Sequence, residues 1–79
     1  MIYEFTSESV SEGHPDKIAD LISDRVATYL LDGNLSHRAA IETLVTTNMV
    51  TIAGEYKSDK FNKMAIERIV RDTVKEIGY

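Results

Sequence analysis

The stretch Arg38-Ala39-Ala40-Ile41-Glu42-Thr43-Leu44-Val45-Thr46-Thr47-Asn48-Met49-Val50-Thr51-Ile52-Ala53 decides the fold class. Arg38 to Thr47 is rich in alanine and β-branched residues, and Met49 to Ala53 repeats that character, which favours strands because branched side chains pack well on a pleated surface. Thr47-Asn48 separates the two runs, and asparagine tolerates the left-handed backbone of tight hairpins, so an antiparallel pair is expected. On its N-terminal side, Ile18, Leu21, Ile22, Val26, Tyr29 and Leu30 recur at helical spacing, with Asp16, Asp20, Asp24 and Arg25 mostly on the other side. Pro15 to Leu31 therefore reads as an amphipathic helix, started by a proline whose missing N–H costs nothing there and ended by Asp32-Gly33-Asn34. On its C-terminal side a second helix begins at about Asn62, with Ile66, Ile69, Val70, Thr73 and Ile77 on one face, the charged row Lys63, Glu67, Arg71 and Lys75 opposite, and Gly78 as cap.

The resulting expectation is α+β: a small sheet, made of a β-hairpin plus a further N-terminal strand, with two amphipathic helices packed on one face. A sheet that narrow has exposed edges and an open face, which predicts association with a larger assembly or with a second copy. Seventy-nine residues make one small domain that buries roughly 60% of its unfolded surface. The chain has no cysteine, hence no disulfide, thiolate nucleophile or cysteine-based zinc site. Its formal charge of −4 lacks the basic face that nucleic acid or an anionic membrane would select. Met1-Ile2-Tyr3-Glu4-Phe5 does not open a secretory signal, and no apolar run approaches the roughly 20 residues of a membrane span, so a cytoplasmic location is expected.

Chemistry concentrates in Ser7-Glu8-Ser9-Val10-Ser11-Glu12-Gly13-His14-Pro15-Asp16-Lys17. Free N–H groups at a helix start attract oxyanions, His14 or Lys17 can add positive charge, and Asp16 can hold a divalent metal that accompanies a phosphate. A plain turn before a proline-started helix explains Gly13-His14-Pro15 equally well. Asp20 and Asp24 suit a solvated face near a helix N-terminus better than a metal ladder. Glu42 interrupts an apolar strand, which requires either a cation partner or an exposed sheet face. Glu55, after Gly54 at the expected end of the second strand, lies where sheets often present binding residues, although a charge closing a strand is commoner. His37 is expected to be exposed in a polar loop, and no histidine and carboxylate set supports Ser7, Ser9 or Ser11 as nucleophiles.

The run Phe5 to Asp20, continued by Ile22-Ser23-Asp24, resembles the N-terminal signature of the S-adenosylmethionine synthetase (methionine adenosyltransferase) family. Glu42-Thr43, Met49-Val50, Ala53-Gly54-Glu55 and Ile77-Gly78-Tyr79 resemble the family in the same order, so the similarity covers nearly the whole chain. It implies an enzyme that makes S-adenosylmethionine from ATP and L-methionine, releasing phosphate and pyrophosphate, with Mg2+ and K+ as cofactors and a dimer or tetramer as the working form. It further implies that His14 contacts ATP, that Asp16 and more weakly Glu8 bind magnesium, that Glu42 binds potassium and that Glu55 holds methionine. Lys17 belongs to the motif without an assigned step.

The family's glycine-rich phosphate loop and further basic and acidic site residues have no counterpart in the chain, and Tyr56 to Lys63 looks irregular. The resemblance thus implies an N-terminal segment only: residues 1–12 an extended segment, disordered in isolation, and residues 13–79 an incomplete N-terminal α+β domain, inactive alone. The alternative is a naturally short, non-catalytic binding or assembly module.

Overall fold

The computed structural model describes residues 2–6, 15–46 and 49–77. Strand β1 (Ile2–Thr6) precedes helix α1 (Pro15–Leu31), the strands β2 (Arg38–Thr46) and β3 (Met49–Lys57), and helix α2 (Lys63–Glu76). The sheet is antiparallel throughout, in the order β1-β3-β2. The expected further strand is therefore present, and it flanks β3 rather than β2. The hairpin register runs from Arg38↔Lys57 to Thr46↔Met49, which leaves two residues for the connection. Those two, Thr47 and Asn48, lie outside the described residues, as does the expected cap Gly78.

Strand β3 continues four residues past Ala53, where the run of β-formers stops. Gly54 remains in the ladder opposite Ile41 because the two backbones approach closely there: a Cβ on Gly54 would lie 2.0 Å from the Ala40 carbonyl oxygen. Glycine usually weakens a strand, but here its missing side chain permits the pairing. Tyr56 and Lys57 are consequently strand residues, and the irregular connection shortens to residues 58–62.

The period-2 alternation of the strands separates two faces. Val45, Val50 and Ile52 point inward and join Ile18, Ile22, Val26 and Leu30 of α1 and Ile66, Val70 and Val74 of α2 in one apolar cluster. Helix α1 lies over β2, where Ser23 Oγ and Thr43 Oγ1 share a hydrogen bond of 2.7 Å. Thr73, the polar member of the inward stripe of α2, is fully buried and donates its hydroxyl proton to the Ile69 carbonyl at 2.7 Å. Asn62 caps α2 by accepting from the Ala65 N–H at 3.0 Å, so the helix begins where the sequence placed it.

Arg25 of α1 reaches across to α2 with a two-pronged ion pair, Nη1 to Glu76 Oε2 at 2.6 Å and Nη2 to Glu76 Oε1 at 3.1 Å, and Nη1 also donates to Thr73 Oγ1 at 3.2 Å. Hydrogen bonding from Arg25, reinforced by its charge, holds the Glu76 carboxyl below its ordinary value of 4.5. A depressed folded-state value means that the stabilisation is complete above the unfolded-state value and is lost as pH falls through the folded one. Urea titrations of the parent and of Glu76→Gln should therefore differ at pH 7 and converge as pH drops below the ordinary glutamate range. A difference that persists unchanged in acid would rule out this carboxylate as the source.

Candidate functional site on the open sheet face

Opposite the helices the sheet is uncovered. Arg38, Ala40, Glu42, Leu44 and Thr46 of β2 point outward and are exposed, and register places Met49, Thr51, Ala53, Glu55 and Lys57 of β3 on the same side. Glu42 faces Ala53 and Glu55 faces Ala40, so the two carboxylates are diagonal neighbours. Such neighbours are about 7–8 Å apart or somewhat less, within reach of one bound group. Between them lies a shallow hollow floored by Ala40, Ala53 and the backbone of Gly54.

Neither carboxylate has a hydrogen-bond or ion-pair partner among the described residues. Arg38, diagonal to Glu55 across the ladder, is turned away: its Nη1 donates to the Leu35 and His37 carbonyls, each at 2.9 Å. Glu42 is thus satisfied by exposure rather than by an internal partner. Two anions over small side chains, unpaired among the described residues, form a surface that attracts ammonium groups, metal ions or a partner's basic residues. The hollow encloses no general base in a dry pocket.

The helix-start candidates are placed differently. Glu8, His14 and Ser7, Ser9 and Ser11 lie outside the described residues, and Asp16 is the second residue of α1. The far end of α1 is tied to the loop after β3, since Ser58 Oγ donates to the Leu30 carbonyl at 2.5 Å. Residue 16 is about 21 Å from residue 30 along a helix axis. The start of α1 therefore lies toward the Thr46–Met49 end of the sheet, away from Glu55. The fold brings Glu42 and Glu55 together and holds the α1 start apart from Glu55.

Two expectations change. Glu55 does not close its strand but sits inside the ladder, and His37 is 8% exposed rather than open to solvent. His37 Nδ1 donates toward the Leu30 and Leu31 carbonyls at 3.1 and 3.2 Å, and Nε2 faces the Asp59 carboxylate at 3.4 Å. Nothing periodic in the sequence marks this burial. The only local signal is a histidine between a helix end and a strand start, where helix carbonyls lack partners.

Among the described residues no group of three or more histidine, cysteine, aspartate or glutamate side chains could hold a metal ion, and no helix is long and apolar enough to cross a membrane. Residues 2–79 match the family model of the S-adenosylmethionine synthetase N-terminal domain. The chain is 54% identical over 77 residues to the S-adenosylmethionine synthase of Oleidesulfovibrio alaskensis, covering 98% of this chain and 19% of that protein. It is similarly 54% identical over 78 residues to the synthase of Zymomonas mobilis, covering 98% and 20%, and 53% identical over 79 residues to that of Phocaeicola vulgatus, covering 100% and 18%. The chain thus spans about a fifth of the length of the curated relatives it matches.

Proposed function

Because this chain belongs to the S-adenosylmethionine synthetase family, matching its N-terminal domain, we propose that it supplies part of an active site joining ATP to L-methionine. The observation that carries this reading is the pair of exposed carboxylates, Glu42 and Glu55, diagonal neighbours over a floor of small residues and without a partner among the described residues.

In the proposed reaction a lone pair on the methionine sulfur forms the bond to the ribose C5′ while the C5′–O bond breaks. The electron pair leaves with tripolyphosphate, which water then cleaves to pyrophosphate and phosphate. Glu55 pairs with the methionine ammonium and orients the sulfur, a role for which an exposed carboxylate without an internal cation is suited. His14, at the entry to α1, donates to oxygens of the polyphosphate, where negative charge accumulates as the bond breaks.

Asp16, with Glu8 as the weaker second candidate, holds magnesium, which when bound neutralises charge on the departing tripolyphosphate. Glu42 holds potassium. Its hard oxygens, unengaged and flanked by Ala40 and Ala53, fit a hard cation, though one carboxylate fills only part of such a shell and other groups must complete it. The separation of the α1 start from Glu55 fits a site completed by further chain or by a second copy, and exposed Leu44 and Met49 on the same face fit a homo-oligomer.

The test is Glu55→Gln in a full-length synthase carrying this segment. Loss of a charge-assisted contact to ammonium should raise KM for methionine by about 10–100-fold while KM for ATP stays close to the parent value. An unchanged methionine KM, or an effect on ATP alone, would remove Glu55 from the proposed role.

A further inference from the structure

Strand β3 is supported unevenly. Among the described residues its ladder with β1 spans Met49 to Ala53, whereas the ladder with β2 runs on to Lys57. Glu55 therefore sits in a stretch whose described lateral support is β2 alone. The loop beyond β3 is tied down by several contacts converging on the end of α1. Ser58 Oγ donates to the Leu30 carbonyl at 2.5 Å and accepts from the Lys60 N–H at 3.0 Å, and Lys60 Nζ pairs with Asp32 at 3.5 Å. The rings of Tyr56 and Phe61 stack with centroids 5.0 Å apart and planes 9° from parallel.

His37 stands at the centre of this clasp. Its buried ring spends Nδ1 on the last carbonyls of α1 and turns Nε2 to the carboxylate of Asp59 in the loop after β3. It also immediately precedes β2, one residue before the Arg38↔Lys57 pair and three before Ala40↔Glu55. One side chain thus fastens the start of β2, the end of α1 and the loop leaving β3 at the end of the ladder that carries Glu55. A helix end is a rigid anchor, and a loop fastened to it passes that rigidity to the adjoining strand end.

We propose that His37 is a positioning residue for Glu55, acting with Ser58 and Asp59 to fix the strand end from which the carboxylate projects. The proposal rests on the methionine-binding reading of Glu55, and the experiment separates the two. In a full-length synthase carrying this segment, His37→Ala should raise KM for methionine about tenfold with KM for ATP little changed, because a displacement of about 1 Å is costly at a site that orients a reacting group. Asp59→Ala, which removes the group facing Nε2, and Ser58→Ala, which removes both hydrogen bonds of its hydroxyl, leave the apolar core closed; each should shift the same constant by about threefold and keep the test informative if His37→Ala does not fold. His37→Asn, which retains a donor near the Leu30 carbonyl, should recover part of the loss.

Combined with Glu55→Gln, the His37, Ser58 and Asp59 variants should add nothing further to the methionine KM, since residues acting through one group are not additive. If Glu55→Gln raises the methionine KM while the clasp variants leave it unchanged, shift both substrates alike, or add fully to Glu55→Gln, the positioning role is wrong and the Glu55 reading survives. If Glu55→Gln itself has no effect, both fall.

Discussion

Gly54→Ala should be among the most damaging single substitutions in this chain, lowering stability by about 3 kcal/mol or more, a large share of what a domain of this size possesses. The reason is contact with backbone rather than with a movable side chain. The new Cβ would meet the Ala40 carbonyl oxygen at 2.0 Å, its carbon at 3.0 Å and the Ile41 Cα at 3.1 Å, and none of these can move without parting β2 from β3. Gly33 provides the contrast. It has a φ of +66° and nothing lies within 4 Å of where an alanine methyl would sit, so Gly33→Ala meets only the conformational penalty of a left-handed residue, about 1 kcal/mol. Thermal unfolding followed by circular dichroism should separate the two by about 8–16 °C or more, since each kcal/mol shifts a domain of this size by about 4–8 °C. Equal midpoints for the two variants would show that the hairpin can relax around Gly54, contrary to the packing described.

The same glycine shows where local signals end. The limits of α1 are legible in the sequence because proline, the polar and apolar spacing, and Asp32-Gly33 act within a few residues of each other. The backbone agrees, with left-handed φ values of 48° and 66° at Asp32 and Gly33. The start of α2 is legible in the return of helical spacing from about Asn62, and the structure shows that residue to be the cap. The end of β3 is not. Glycine ordinarily argues for a break, and only the neighbouring strand's close approach explains why pairing continues to Lys57. Glu42 stands out as a charge within an apolar strand, but its two explanations, cation site and exposed face, cannot be separated without knowing which face the register turns outward. The adjacency of Glu42 and Glu55 is likewise a product of register: residues thirteen positions apart meet because Glu42 pairs with Ala53. The burial of His37 depends on the loop from residue 58 folding back onto the end of α1, a contact with no trace in hydrophobic periodicity.

Substitutions on opposite faces of the central ladder should have opposite consequences. Ile52 is fully buried at the middle of β3, with β1 on one side and β2 on the other, and its side chain meets the apolar cluster formed with both helices. Ile52→Ala removes three carbon atoms from that cluster, and the cavity together with the lost transfer free energy should cost about 2–5 kcal/mol. A chain of 79 residues has a total stability of only about 4–12 kcal/mol by the usual per-residue range. Ile52→Ala should therefore broaden or abolish cooperative unfolding in urea. Leu44, one rung away but pointing outward and 59% exposed, fills no internal space. Leu44→Ala should change the urea midpoint little, within about 0.5 kcal/mol. Its effect should appear instead in sedimentation: if the open face is covered by a second copy, losing this apolar contact weakens self-association while leaving the monomer folded. A large loss of monomer stability from Leu44→Ala, or a mild effect from Ile52→Ala, would mean that the buried and open faces have been assigned the wrong way round, and the placement of Glu42 and Glu55 on an accessible surface would fail with them.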